Sequence, residues 1–161
     1  MNILSQTAHA ISDHQFAKVF LDKSSGQKSL QAASDFSPGD LISHFSAGST
    51  LDHPTRLTVQ IAADQHITLL PEFLQYMNHS CDPNAFFNTT TMELISIKPI
   101  HAGEELTFFY PGTEWEMAEP FVCQCGSRDC LQLINGASHI PVETLTRYKV
   151  TDFIRQMKGM K

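Results

Sequence analysis

Leu57, Val59 and Ile61 alternate with Thr58 and Gln60, a period of two that places the apolar side chains on one face of a strand. His66 to Leu70 reads as the next strand, and the Ala63-Asp64-Gln65 connection predicts a hairpin. Lys18 to Leu21 and Leu41 to Phe45 are apolar enough for strands, and Ser37-Pro38-Gly39-Asp40 ahead of the second is a turn signature. Ala85-Phe86-Phe87 and Glu93 to Ile97 flank the polar run Asn88-Thr89-Thr90-Thr91, which predicts another hairpin. A turn at Ile100 to Glu104 leads into Leu106 to Tyr110. Beyond Pro141 the period changes: Val150, Phe153, Ile154 and Met157 fall on one helical face, with Arg147, Lys149, Arg155, Lys158 and Lys161 making this end locally basic. The elements describe a mainly β domain with a helical tail, its cations toward the negative end of the helix dipole.

Length and charge narrow the function. The 161 residues suit one domain with a short appendage, and 42% hydrophobic against 17% charged residues is a composition that folds. The net charge of −6 disfavours phosphate backbones and anionic membranes, so direct nucleic-acid or membrane binding is not expected. It suits a basic peptide. Residues 1–10 lack the basic flank and apolar run of a secretory signal, so the protein is expected to be intracellular. Nothing in the sequence fixes an oligomeric state.

Four cysteines occur: Cys81, and Cys123, Cys125 and Cys130 within Cys-x-Cys-Gly-Ser-Arg-Asp-Cys. Four thiolates satisfy one tetrahedral zinc ion, and a tight glycine-containing knuckle can present three of them to one point. Cys81 would then arrive from a distant part of the chain. Disulfides would need an oxidising compartment, and four independent thiols are the other alternative. The eight histidines show no paired metal-binding spacing.

Cys81 lies in Tyr76-Met77-Asn78-His79-Ser80-Cys81-Asp82-Pro83-Asn84, and Gly103-Glu104-Glu105-Leu106-Thr107-Phe108-Phe109-Tyr110 follows. These blocks, in this order and followed by Cys-x-Cys-x4-Cys, resemble the SET-domain protein lysine methyltransferases with a post-SET zinc segment. The resemblance spans residues 18–136. It implies a fold of short curved sheets with a pseudoknot, in which the Asn78 segment threads beneath the Glu104-Glu105 segment. The domains expected are an extension at 1–17, the SET domain at 18–112, the zinc segment at 113–136 and a C-terminal helix at 137–161.

The resemblance also assigns roles. Lys28, Ser29, Tyr76, Asn78, His79, Tyr110 and Leu131 would bind S-adenosylmethionine, Asn78 through its amide and His79 through its backbone. Cys81, Cys123, Cys125 and Cys130 would hold one structural Zn2+. Tyr110 and Phe108 would form the catalytic channel for a lysine, Tyr110 orienting the amine and Phe108 setting how many methyl groups fit. The transfer needs alignment and removal of water, and no covalent intermediate. Glu104 and Glu105 point to opposite faces of a strand and are assigned to turn and surface hydrogen bonds. Ser80 lacks a nucleophile's Gly-x-Ser-x-Gly setting.

The pattern departs from the family in one place. Gln27 and Ser29 stand where the family has Gly-x-Gly, with Gly26 one residue away. The stretch 46–72, which in the family helps choose the peptide, is short, and there is no pre-SET cysteine cluster. The expected function is S-adenosylmethionine-dependent methylation of a lysine in a histone-like or other basic protein. The alternative is a noncatalytic, zinc-stabilised module that binds a peptide or partner.

Overall fold

β1 (Ala8–Asp13), β2 (Ala17–Asp22) and β3 (Lys28–Ala32) form an antiparallel sheet in a computed structural model that describes residues 7–161. Its second turn is built by local chemistry. The Asp22 carboxylate accepts the Ser24 N–H at 2.9 Å, the Gly26 N–H donates to the Asp22 carbonyl at 2.7 Å, and Gly26 adopts φ +75°, where a side chain is costly. Gly26 therefore serves the hairpin, and Lys28 and Ser29 are strand residues beyond it. β1 lies wholly within the segment set apart as an extension.

β5 (Ser46–Leu51), β6 (Val59–Ala62) and β7 (Gln65–Leu70) form a second sheet in the order β5-β7-β6, and the expected hairpin pairs Val59 with Ile67 and Gln60 with His66. Leu57 does not join it. The Thr58 hydroxyl accepts the Thr55 N–H at 2.8 Å and donates to the Thr55 carbonyl at 3.1 Å, so residues 55–58 form a side-chain-supported turn that overrides the alternation.

β4 (Leu41–His44), β9 (Ala85–Asn88) and β10 (Glu93–Ser96) make a third sheet, ordered β4-β10-β9. Asn88 closes the β9–β10 turn by accepting the N–H groups of Thr90 and Thr91 at 3.0 and 3.2 Å. The site depends most on a parallel pair, β8 (Asn78–His79) beside β11 (Thr107–Phe108), with Asn78 opposite Thr107 and His79 opposite Phe108. On its other side the segment before β11 is joined to β3, with the Leu106 N–H donating to Leu30 and the Ala32 N–H to Glu104, both at 2.8 Å. The strand expected over Leu106 to Tyr110 is this short because Pro111 turns the chain into a 3-10 turn at Tyr110–Gly112.

β12 (Phe121–Val122) and β13 (Leu133–Ile134) form a ribbon around the cysteine knuckle. The single C-terminal helix expected from the spacing is instead α1 (Val142–Leu145) and α2 (Asp152–Met157). Thr151 causes the break: its hydroxyl accepts the Ile154 N–H at 3.3 Å as an N-cap, leaving Val150 outside the helix and Met157 exposed. The tail still docks, since Val150 and Ile154 are buried with Phe109, Ala137, Ile140 and Leu145. The main core gathers Leu30, Ile67, Leu74, Phe87, Leu94 and Leu106 beneath the sheets. Among the described residues no helix is long and apolar enough to cross a membrane.

Candidate functional site

The four cysteines converge, although Cys81 stands 42 residues before the nearest of the other three. Their sulfurs lie within 4.8 Å of one another, with Cys81 Sγ 3.9 Å from both Cys123 Sγ and Cys130 Sγ. A tetrahedron with metal–sulfur bonds of about 2.3 Å has edges of about 3.8 Å, so these separations fit one metal ion and are too long for disulfides. The backbone supports the thiols: the Leu131 N–H points at Cys81 Sγ and the Cys125 N–H at Cys123 Sγ, each at 3.4 Å. Burial raises the Cys81 thiol far above its ordinary range and Cys123 to about 11. Without a cation such buried thiols keep their protons; a bound divalent ion reverses that preference.

His79 connects this cluster to Tyr110. The Tyr110 backbone N–H donates to His79 Nδ1 at 3.1 Å, which leaves the ring proton on Nε2, directed at Cys81 Sγ 3.3 Å away. Burial lowers the imidazole to about 4, so the ring is neutral. Tyr148, from the tail, stacks on Phe109 and donates its hydroxyl to the Cys81 carbonyl at 2.9 Å.

The parallel pair lines a cleft of about 1130 Å³. Tyr110 donates its hydroxyl to the Met77 carbonyl at 3.0 Å, and burial raises its pKa above the ordinary range, so it remains a phenol. Its ring lies 4.7 Å from that of Phe108, which in turn meets Phe87 edge-on at 4.8 Å. Asn78 donates its amide to the Lys28 carbonyl at 3.0 Å and to Glu105 Oε1 at 3.3 Å. The Lys28 ammonium sits over the Tyr76 ring, 4.7 Å from its centre. Of the residues named from sequence, Lys28, Tyr76, Asn78, His79, Phe108 and Tyr110 line the cleft, whereas Ser29 and Leu131 lie outside its lining.

One assignment needs correction. Glu104 serves a turn, as expected, accepting the His101 N–H at 3.2 Å, but Glu105 is not a surface residue. It is half-buried in the cleft wall against Asn78, and burial raises its pKa. Sequence reasoning also missed Glu114, which is buried at the cleft. Its Oε2 accepts the Gln60 N–H at 3.1 Å and the Thr113 hydroxyl at 2.5 Å, and burial raises the carboxyl to about 7 against the lowering effect of these two donors. Gln60 returns the contact by accepting the Trp115 N–H at 2.8 Å. Residues 54 apart in sequence make this clamp, so no local pattern marks it.

The family model of the SET domain matches residues 11–111, and the chain belongs to that family of methyltransferases. It is similar to the methyltransferase flvH of Aspergillus flavus, 37% identical over 125 residues, covering 76% of this chain and 70% of that one. It also resembles an H3 lysine-36 specific histone-lysine N-methyltransferase of Gibberella zeae, 27% identical over 145 residues, covering 72% of this chain and 16% of that one. The crystal structure of KRYPTONITE in complex with mCHG DNA and SAH shares the fold at TM-score 0.57 and 19% identity, covering 77% of this chain and 30% of that one. The match begins inside β1 and ends at the Tyr110 turn, so the cysteine knuckle lies beyond it.

Proposed function

We propose that the protein transfers a methyl group from S-adenosylmethionine to the ε-amine of a lysine in a basic protein, with one zinc ion on Cys81, Cys123, Cys125 and Cys130. One observation carries the reading: β8 and β11 lie side by side, so that Asn78, His79, Phe108 and Tyr110 line a single cleft. The relatives named as methyltransferases add support. S-Adenosylmethionine, when bound, supplies a methyl group on a sulfonium cation. The residues of the chain do the rest by placement. Phe108 and Tyr110 wall the approach and exclude water, and the Tyr110 hydroxyl, held by Met77, orients the incoming amine. No side chain need act as a nucleophile. Phe108, having no hydroxyl to hold a water, leaves room for more than one methyl group.

The wild-type protein should bind S-adenosylmethionine in calorimetry and label a lysine-bearing protein when incubated with tritiated methyl donor and cell lysate. Tyr110→Phe should retain the fold and lose most of the transfer. No affinity at millimolar donor would overturn the proposal in favour of a noncatalytic binding module.

A further inference from the structure

Glu114 is only 6% exposed, yet it belongs to the lining of the cleft. A carboxylate so placed is costly unless a cation or a full set of donors meets it. Its two hydrogen bonds both fall on Oε2; Oε1 has no hydrogen-bond partner among the described residues. Nor is Oε1 sealed in. Among the described residues the side-chain atoms both fully buried and unpartnered are Gln31 Nε2 and His66 Nδ1, so Oε1 keeps some solvent access, and the space that Glu114 lines is the cleft. The clamp to Gln60 and Thr113 fixes the carboxyl plane and leaves this one oxygen to receive something from the cleft.

The surrounding walls indicate what it receives. Phe108, Tyr110 and Phe121 line the same cleft, with the Tyr110 ring 4.7 Å from Phe108 and 6.0 Å from Phe121. Aromatic faces attract cations through their quadrupoles, and a carboxylate oxygen opening on the same cleft supplies the acceptor that an ammonium receptor needs. Glu114 also follows directly from the turn that carries Tyr110, its own N–H donating to the Tyr110 carbonyl at 3.0 Å.

We infer that Glu114 is the receptor for the substrate's amine in its ammonium form, Oε1 accepting an N–H bond while the aromatic walls hold the alkyl stem. The amine is thereby selected over uncharged groups of the same shape before it reacts. The inference deepens the proposed amine methylation and rests on it for the meaning of the bound cation.

The test uses n-butylammonium, the charged end of a lysine side chain, and n-butanol, its uncharged counterpart. Each is titrated by NMR into the zinc-loaded protein at about pH 8, where the amine is still protonated, with and without S-adenosylhomocysteine. Wild type should prefer butylammonium by at least tenfold, and Glu114→Gln should reduce that preference to less than twofold while binding butanol as before. A merely structural role for Glu114 would weaken both probes alike. Equal binding of the two probes by wild type, or no binding of either, overturns the receptor without recourse to any variant. Ammonium selectivity in a protein that binds no S-adenosylmethionine would keep the receptor and remove the transfer. Methyl transfer without ammonium selectivity would do the reverse.

Discussion

Glu114 allows a quantitative test by pH. Its carboxyl rises from an ordinary 4.5 to about 7 in the folded protein, chiefly by burial. A tenfold change in proton affinity is worth about 1.4 kcal/mol, so the rise corresponds to about 3 kcal/mol. Below the lower value both folded and unfolded chains carry the proton and Glu114 has no effect on stability. Between the two values the unfolded chain has released its proton while the folded chain retains it, so stability falls as pH rises. Above about 7 the loss is complete and the contribution levels off. Glu114→Gln removes the titration, and the glutamine carbonyl can still accept the Gln60 N–H. Urea unfolding of both proteins across about pH 5 to about pH 8, at equal zinc, should show the variant gaining most of that 3 kcal/mol relative to wild type. Taking the difference cancels the other titrating groups. A difference independent of pH would refute the reasoning, and a wild type gaining ground as pH rises would mean that a cation already holds the carboxylate ionised.

Chelation should release one zinc per chain and loosen residues 121–134 and the Cys81 loop, read as faster amide hydrogen exchange there; binding free energies for such sites are on the order of 10 kcal/mol. His79→Phe removes the proton directed at Cys81 Sγ and the acceptor for the Tyr110 N–H. Its zinc affinity, measured by competition with a chromophoric chelator, should fall about 10- to 100-fold, as is common when a partner of a metal ligand is lost. Phe108→Tyr should lower the highest methylation state seen by mass spectrometry on an accepted lysine; an unchanged product distribution would separate Phe108 from the channel.

Patterns confined to a few neighbouring residues were legible in the sequence. The β6–β7 and β9–β10 hairpins follow from alternation and polar turns, and both are present. The cysteine cluster was legible because thiols are scarce and their chemistry is specific. What the pattern concealed was competition from side chains: Thr58 converts an alternating run into a turn, and Thr151 caps a new helix within one apparent helical face. Glu105 was misread because strand alternation fixes which face a residue takes but not whether another segment covers that face. Asn78 covers it here, through a pairing 27 residues distant. Glu114 and Tyr148 act through partners 54 and 67 residues away, separations at which a single sequence carries no signal.

The geometry also bears on why the cysteine cluster stands so near the cleft. Phe121, Val122, Cys123, Gln124 and Cys125 line the cleft, so the knuckle is one of its walls. The opposite side of the cluster is Cys81, whose sulfur receives His79 and whose carbonyl receives Tyr148. His79 in turn holds the backbone of Tyr110, and Tyr110 begins the turn that leads to Glu114. A change in the position of Cys81 therefore moves both the wall and the two groups proposed to meet the amine. Metal retention and ligand binding should then be thermodynamically linked: if the metal tightens binding of the methyl donor by some factor, the donor must tighten the metal by the same factor. Chelator competition with and without S-adenosylhomocysteine measures that factor directly. A value of one would mean that the knuckle folds independently of the cleft it borders.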